Sequence, residues 1–173
     1  MITLEYFNSD DFTQLIDWIK DEETLMNWSG GLFSFPLKPK SLEWYMEDVN
    51  DISKSEAFVY KAIDDETQKV IGHISLGGIS KKNRAARITR VLVDPVHQGK
   101  GYCRQMVSAV LKIGFTDLQL HRIALGVYDF NKAAISCYKK AGLVIEGTSR
   151  DCLLFKGQWW SLTEMSILEE EWR

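Results

Sequence analysis

The segment between residues 85 and 115 constrains the fold more than any other part of the chain, because its hydrophobic period changes within it. Residues 85–93 are rich in β-branched side chains and predict a strand that runs into Asp94-Pro95. Residues 101–115 carry apolar side chains at the spacing of one helix face. The turn between them, residues 98–101, contains two glycines. The segment therefore predicts a strand, a glycine turn and a helix in direct succession.

The rest of the chain extends this pattern into one mixed domain that spans residues 1–173. Predicted strands cover residues 2–7, 56–63, 69–75, 85–93, 122–127, 144–148 and 162–168, and predicted helices lie near residues 10–19, 41–49, 101–115 and 131–141. Hairpin-linked strands come first and βαβ crossovers follow, which indicates an α/β (α+β) fold. We expect a mostly antiparallel sheet of six to seven strands, with helices on both faces. Residues 28–39, with two glycines and two prolines, predict a long functional loop.

Composition narrows the classes of function. The formal net charge is −3 and the isoelectric point is about 5.7, whereas a nucleic-acid-binding domain usually carries a basic excess. No apolar run reaches the length of a membrane-spanning helix, and the N-terminus lacks the features of a secretion signal. We therefore expect a cytoplasmic protein that binds neither nucleic acid nor membrane. Its oligomeric state is left open, with a homodimer as one option.

Cysteine and histidine usage gives two further expectations. The three cysteines are odd in number and form no C-x-x-C pair, which favours reduced thiols over a disulfide framework. The three histidines have no spacing typical of a metal site, so we expect no metal. These residues are Cys103, Cys137 and Cys152, and His73, His97 and His121.

The glycine turn is suited to a phosphate group. The first N–H groups of a helix have no intrahelical partner, and the helix dipole favours an anion there. Residues 98–104 supply two glycines, which allow close backbone approach, and two basic side chains, Lys100 and Arg104. The dinucleotide pattern G-x-G-x-x-G fails at Arg104, and no P-loop sequence is present. On the glycines alone, an ordinary strand-to-helix turn fits equally well.

The motifs that decide between these alternatives resemble a known family. Gln98-x-x-Gly101-x-Cys103 is similar to the Q/R-x-x-G-x-G/A signature of the GNAT superfamily of N-acetyltransferases. Asn131-x-x-Ala134-x-x-x-Tyr138-x-x-x-Gly142 resembles its second signature. Phe35-Pro36-Leu37 and the segment Gly157-Gln158-Trp159-Trp160 look like the branch that contains the ribosomal-protein N-terminal acetyltransferases. Two residues depart from the usual pattern, Cys103 in place of Gly or Ala and Leu143 in place of Phe.

The resemblance implies an acetyl-CoA-dependent N-acetyltransferase that moves the acetyl group directly to a primary amine. The pantetheine arm would lie along Val91 and Val93, and the N–H of Leu92 would stabilise the oxyanion. Tyr138 would protonate the departing thiolate. The cofactor-binding residues that the resemblance implies are Val91, Leu92, Val93, Gln98, Gly99, Lys100, Gly101, Tyr102, Cys103, Arg104, Asn131, Ala134, Tyr138 and Lys140.

Several of these residues also have a structural explanation. Tyr138 fits a core position, Asn131 fits a helix N-cap, and Cys103 and Cys137 fit buried thiols better than covalent nucleophiles. The strand at residues 85–93 carries no carboxylate, so the general base stays unassigned.

The resemblance implies that the acceptor is a small-molecule amine or a protein N-terminus. Residues expected at its pocket are Trp28, Glu43, Trp159 and Trp160. The alternative function is a CoA-binding sensor or interaction domain without transfer activity.

Overall fold

A computed structural model describes residues 1–173 as a seven-stranded sheet with five α-helices. The strands are β1 (Ile2–Tyr6), β2 (Phe58–Asp64), β3 (Val70–Ser80), β4 (Ala85–Val93), β5 (Arg122–Tyr128), β6 (Val144–Phe155) and β7 (Gln158–Leu168). The helices are α1 (Phe12–Trp18), α2 (Glu22–Ser29), α3 (Pro39–Tyr45), α4 (Tyr102–Lys112) and α5 (Lys132–Lys140). Short 3₁₀ turns cover Ser9–Asp11 and Pro95–His97, and a π-helical turn, Ile113–Asp117, extends α4.

The sheet is antiparallel everywhere except between its two central strands. Its order is β1-β2-β3-β4-β5-β7-β6, and only β4 and β5 run parallel. That parallel pairing covers three residue pairs, from Ala85 with Arg122 to Arg87 with Ala124. Beyond Arg87 the two strands diverge and open a cleft in the middle of the sheet. The predicted α/β fold with a mostly antiparallel seven-stranded sheet is confirmed.

Two hydrophobic cores flank the sheet. The larger core packs α4 and α5 against one face and includes Met106, Val110 and Leu111, which have no exposed surface. The smaller core packs α1, α2 and α3 together and includes Leu15 and Leu42. Full burial of one such side chain contributes about 1.5–3 kcal/mol. Helices therefore cover both faces, and the cleft between β4 and β5 lies between the two cores.

Two segments differ from the sequence prediction. Trp28, expected in a loop, lies in the last turn of α2, which begins at an N-cap, Asp21, whose carboxylate accepts from the Thr24 N–H. Residues 157–160, also expected in a loop, belong to the hairpin of β6 and β7. Only Lys156 and Gly157 form its turn, both with positive φ, as a tight two-residue hairpin requires.

The cysteines also differ from expectation. Cys103, at the start of α4, and Cys137, in α5, form a disulfide across 34 residues, whereas all thiols were expected to be reduced. Their Cα atoms lie 6.4 Å apart because the two helices pack side by side, which is within the range a disulfide spans. Cys152 is a free, exposed cysteine.

No helix has the length and apolar character needed to cross a membrane. The structure holds no group of three or more histidine, cysteine, aspartate or glutamate side chains that could bind a metal ion.

Candidate active site

The divergence of β4 and β5 produces a cleft of about 800 Å³, within the usual range for sites that bind small molecules. Its walls are residues 88–93 of β4 and residues 125–128 of β5. The loop before α4 and the first turn of that helix form one end, together with α5. The first residues of α2 form the other end. The cleft therefore passes through the sheet from one layer of helices to the other.

Hydrogen bonding between β3 and β4 determines which backbone groups face this cleft. The Asp94 N–H donates to the Ile71 carbonyl at 2.8 Å, and Leu92 lies opposite His73. Hydrogen-bonded pairs alternate along an antiparallel ladder, so the Leu92 N–H is directed towards β3. Val91 and Val93 direct theirs towards the diverging edge. The prediction that the Leu92 N–H stabilises an oxyanion does not fit this alternation.

The glycine loop has the conformation and the open space that a phosphate group needs. Gly99 and Gly101 have φ values of 77° and 83°, a left-handed conformation that residues with a Cβ rarely adopt. A Cβ at either position would meet no atom within 4 Å. Gly101 is the N-cap of α4 and provides no side-chain cap, so the first-turn N–H groups of the helix are available to an anion.

Polar side chains hold both ends of this loop. Asp94 accepts from the Val96 N–H at 3.1 Å and pairs with His97, which fixes the exit from β4. The Tyr102 hydroxyl donates to the Asp64 carboxylate at the end of β2. This bond and backbone N–H donors lower the pKa of Asp64 to about 2. The carboxylate therefore remains ionised and continues to accept from Tyr102, the first residue of α4.

Helix α5 brings a tyrosine to the cleft. Tyr138 is buried yet lines the cleft, and burial raises the pKa of its hydroxyl above the usual value. The group is therefore protonated at neutral pH and can donate a proton. Asn131 caps α5 by accepting from the Ala134 N–H at 3.2 Å, and Lys140 lines the cleft at the other end of the helix.

Most residues that the sequence placed at the cofactor are brought together here. Those that line the cleft are Val91, Leu92, Val93, Gln98, Gly99, Gly101, Tyr102, Cys103, Arg104, Asn131, Ala134, Tyr138 and Lys140. Lys100 is exposed and is not among the residues that line the cleft. The sulfur atoms of Cys103 and Cys137 are bonded to each other, so in this state neither is a nucleophile.

The residues expected at the acceptor pocket separate into two groups. Trp28 lines the cleft at its α2 end. Glu43 is exposed on α3, Trp159 is 59% exposed on β7, and Trp160 packs against Phe155 and Phe130, so these three lie outside the cleft. Trp159 and Trp160 had been placed in a loop, whereas a strand directs them to opposite faces.

Two carboxylates that sequence reasoning did not select take their place. Asp21 and Glu23, in the first turn of α2 and its cap, line the cleft near Trp28. The hydrogen bonds from Thr24 lower the pKa of Asp21, so its charge persists in mildly acidic solution. The signal was present in the sequence, since Asp21 followed by two glutamates and by Leu25 and Trp28 has the pattern of a helix start.

A bulge in β4 was also missed. Two residues of β4, Arg90 and Val91, lie between Thr89 and Leu92, opposite the single β3 residue Ile74, and Arg90 takes a φ of 52°. The Arg90 guanidinium lies over the Tyr45 ring, with 5.4 Å from its carbon to the ring centre. The Arg90 carbonyl accepts from Trp28 Nε1 at 3.0 Å and meets His73 Nδ1 at 2.8 Å.

Sequence comparison assigns most of the chain to one family. Residues 2–144 match the family model described as an acetyltransferase (GNAT) domain. A spermidine N(1)-acetyltransferase of Vibrio cholerae is 30% identical over 130 residues, which cover 75% of this chain and 72% of that enzyme. The Escherichia coli K12 enzyme of the same name is 29% identical over 101 residues, 58% of this chain and 54% of its own length.

Structural comparison extends the likeness to the whole chain. The crystal structure of spermidine N-acetyltransferase from Vibrio cholerae in complex with CoA and spermine superimposes with a TM-score of 0.83. The two chains are 25% identical, and the match covers 98% of this chain and 96% of that one. The expected family is thereby confirmed, whereas the finer resemblance to the ribosomal-protein branch is not: the similar proteins named here are spermidine acetyltransferases.

Proposed function

This chain belongs to the GNAT family of acetyltransferases and uses acetyl-CoA to acetylate an amine, and we propose that its acceptor is a small polycationic amine of the polyamine class. The observation that carries the proposal is the pair of carboxylates, Asp21 and Glu23, at the end of the cleft opposite the glycine loop. Two negative charges near Trp28 favour an acceptor with several ammonium groups, because each exposed ion pair adds a modest attraction. The names of the similar enzymes support the same class of acceptor.

The donor would occupy the rest of the cleft. Its pyrophosphate would accept from the uncapped N–H groups of α4 and from the loop at Gly99 and Gly101. Its pantetheine amides would pair with the backbone of Val91 and Val93 as an added strand does. The open space beside the glycines and the divergence of the two strands fit both groups.

The transfer needs an oxyanion donor and an acid. We assign the first role to the Val91 N–H, which faces the cleft, in place of Leu92. Tyr138 is the acid: the neutral amine attacks the thioester carbonyl, the C–S bond breaks, and the phenol protonates the departing thiolate. The proton that the amine nitrogen loses passes to solvent, and a proton from solvent restores the phenol. Its raised pKa keeps the proton on the phenol until that step.

A protein N-terminus is the second candidate acceptor, in keeping with the resemblance to the ribosomal-protein branch. Arg90 favours it, because this residue lines the cleft and its Nε atom is buried without a hydrogen-bond partner. A peptide would offer carbonyl oxygens to such a group, whereas a polyamine has no acceptor for it and would be repelled.

The test is release of free CoA from acetyl-CoA with a panel of amines. Spermidine and spermine stand for the polyamines, and short peptides with free N-termini stand for proteins. We expect kcat/KM for spermidine to exceed that for every peptide by at least tenfold. A peptide with the higher value would move the assignment to the N-terminal branch. Binding of acetyl-CoA without turnover on any amine would leave only the sensor function.

A further inference from the structure

The peptide group between Arg90 and Val91 contains the Arg90 carbonyl oxygen, which accepts two hydrogen bonds, and the Val91 N–H, which we assign to the oxyanion. Because this peptide is planar and trans, the Arg90 C=O and the Val91 N–H point in opposite directions. Whatever holds the carbonyl oxygen therefore also determines the direction of the N–H. Two side chains hold that oxygen, and both come from elements outside β4: Trp28 from α2 and His73 from β3.

The hydrogen bonds also define the state of His73. Its ring is buried, and burial lowers its pKa to about 4, so the ring is neutral at physiological pH and carries one proton. A carbonyl oxygen only accepts, so that proton lies on Nδ1. Nε2 is then a bare acceptor, and it is buried without a partner.

An aromatic box prevents the His73 ring from turning away. Phe7 and Trp28 meet it edge-on, with ring centres 4.9 Å and 5.5 Å away, and Tyr45 lies 5.9 Å away on another side. The Tyr45 hydroxyl is bonded to Ser75, the residue of β3 on the far side of the bulge. Phe7 and Trp28 belong to the smaller core and Tyr45 packs against it, so close packing restricts movement of these rings.

We propose that Trp28 and His73 form a positioning pair that fixes the Arg90–Val91 peptide and thereby directs the Val91 N–H at the developing oxyanion. This inference rests on the proposed use of the Val91 N–H in acetyl transfer. Arg90 occupies the left-handed region, which is unfavourable for a residue with a Cβ, and the two hydrogen bonds oppose relaxation of the bulge to an extended conformation. Donation to the carbonyl also polarises the peptide and strengthens its N–H as a donor.

The pair is tested by three variants. His73→Leu removes the donor and keeps an apolar side chain, and Trp28→Phe removes the indole N–H and keeps an aromatic ring. His73→Asn is the matched control, because its amide nitrogen is attached where Nδ1 is attached and restores a donor. We expect kcat to fall about tenfold in His73→Leu and in Trp28→Phe, a part of the effect of losing an oxyanion donor. His73→Asn should recover most of that loss.

Binding and pH measurements separate positioning from other roles. The Kd for CoA, which lacks the acetyl group, should stay within twofold of wild type in all three variants. The pH profile of kcat above pH 6 should keep its shape in His73→Leu, since a ring with a pKa near 4 does not titrate there. Loss of an ionisation from that profile would identify His73 as an acid or base and overturn the proposal. Equal kcat in His73→Leu and wild type, or equal losses in His73→Leu and His73→Asn, would overturn it too.

A spectroscopic measurement is independent of turnover. In protein labelled with ¹⁵N-valine, the Val91 amide resonance, assigned with Val91→Ile, should shift further with acetyl-CoA than with CoA. The extra shift should be present in His73→Asn and reduced in His73→Leu. Absence of the extra shift in wild type overturns the pair as positioning residues for this N–H. Absence of turnover on every amine, with the shift intact, would instead overturn the proposed function alone.

Discussion

The two ends of the cleft recognise their ligands by different means. At the donor end, made of residues 91–104 and helix α5, glycines with positive φ give access to the uncapped backbone N–H groups at the start of α4. At the acceptor end, made of α2 and Arg90, the lining residues include Asp21, Glu23, Trp28 and Arg90, whose distinguishing polar groups belong to their side chains. Recognition by backbone groups restricts the residues that can occupy the loop, because only glycine readily adopts its left-handed conformation. Recognition by side chains can be achieved with many different residues.

The largest effect that this contrast predicts is at Gly101. A Val side chain would be strained at a φ of 83° and would occupy the space beside the first-turn N–H groups. We expect Gly101→Val to abolish the rise in Tm that acetyl-CoA gives to the wild-type protein. Gly147→Val is the control, because Gly147 lies exposed in β6, outside the left-handed region and away from the cleft. If acetyl-CoA still raised the Tm of Gly101→Val, the pyrophosphate would bind at another place.

A covalent link distinguishes the donor end as well. The disulfide joins the helices α4 and α5, and a loop of 34 residues predicts a stabilisation of about 3–4 kcal/mol on the chain-entropy model. Urea unfolding with and without dithiothreitol should show this difference, and Cys152→Ser should leave it unchanged. Thiol titration of the denatured, unreduced chain should count one free thiol, Cys152. A count of three free thiols would contradict the presence of the disulfide.

The proposed acid, Tyr138, is an exception at the donor end of the cleft, because it acts through its side chain. Tyr138→Phe should lower kcat about a hundredfold and leave the Kd of acetyl-CoA unchanged. Tyr60→Phe is the control, since Tyr60 is equally buried, with a raised pKa, but lies outside the cleft. Burial raises the pKa of Tyr138, so its proton is retained as the pH rises through 10. A fall in wild-type kcat centred near pH 9 that disappears in Tyr138→Phe would contradict this.

The smallest effect is expected at the acceptor end, where charges are exposed. Asp21→Asn and Glu23→Gln should each raise the KM for spermidine a few-fold, and added salt should shrink the difference. Asparagine can still cap α2, so Asp21→Asn tests the charge rather than the helix. The KM for acetyl-CoA should not change, and Glu47→Gln, exposed outside the cleft, serves as control. Unchanged KM values for spermidine in both variants would argue against the polyamine assignment.

The same contrast explains how much could be predicted from the sequence. Strand β4 was predicted with its bounds, and residues 98–103 and Tyr138 were placed at one site, because glycine turns and helix faces leave local patterns. The pairing of Trp28 and His73 with Arg90 joins three elements separated by up to 62 residues. No local pattern records such a contact. The disulfide was missed for the same reason, since no C-x-x-C spacing marks it.

Two predicted loops, which included Trp28 and residues 157–160, were wrong because glycines in the sequence were misinterpreted. The glycines at residues 30 and 31 suggested that the loop began at Trp28, although Gly30 in fact ends α2 with a φ of 58°. Gly157 suggested a loop through Trp160, whereas Lys156-Gly157 is a hairpin turn. In both cases a glycine marked the boundary of an element rather than an irregular segment: Trp28 still lines the cleft from α2, whereas Trp159 and Trp160 lie outside it.

The short pairing of β4 and β5 has a consequence for the lifetime of the protein. Three residue pairs are the only ladder between the half-sheet β1–β4 and the half-sheet β5–β7. A donor that bonds along the open edge of β4 would act as a spacer between the halves, and its binding free energy would add to the stability of the fold. At a hundredfold excess over its Kd, a ligand contributes about 2.7 kcal/mol in this way. The supply of acetyl-CoA would then govern resistance to proteolysis as well as the rate of acetylation.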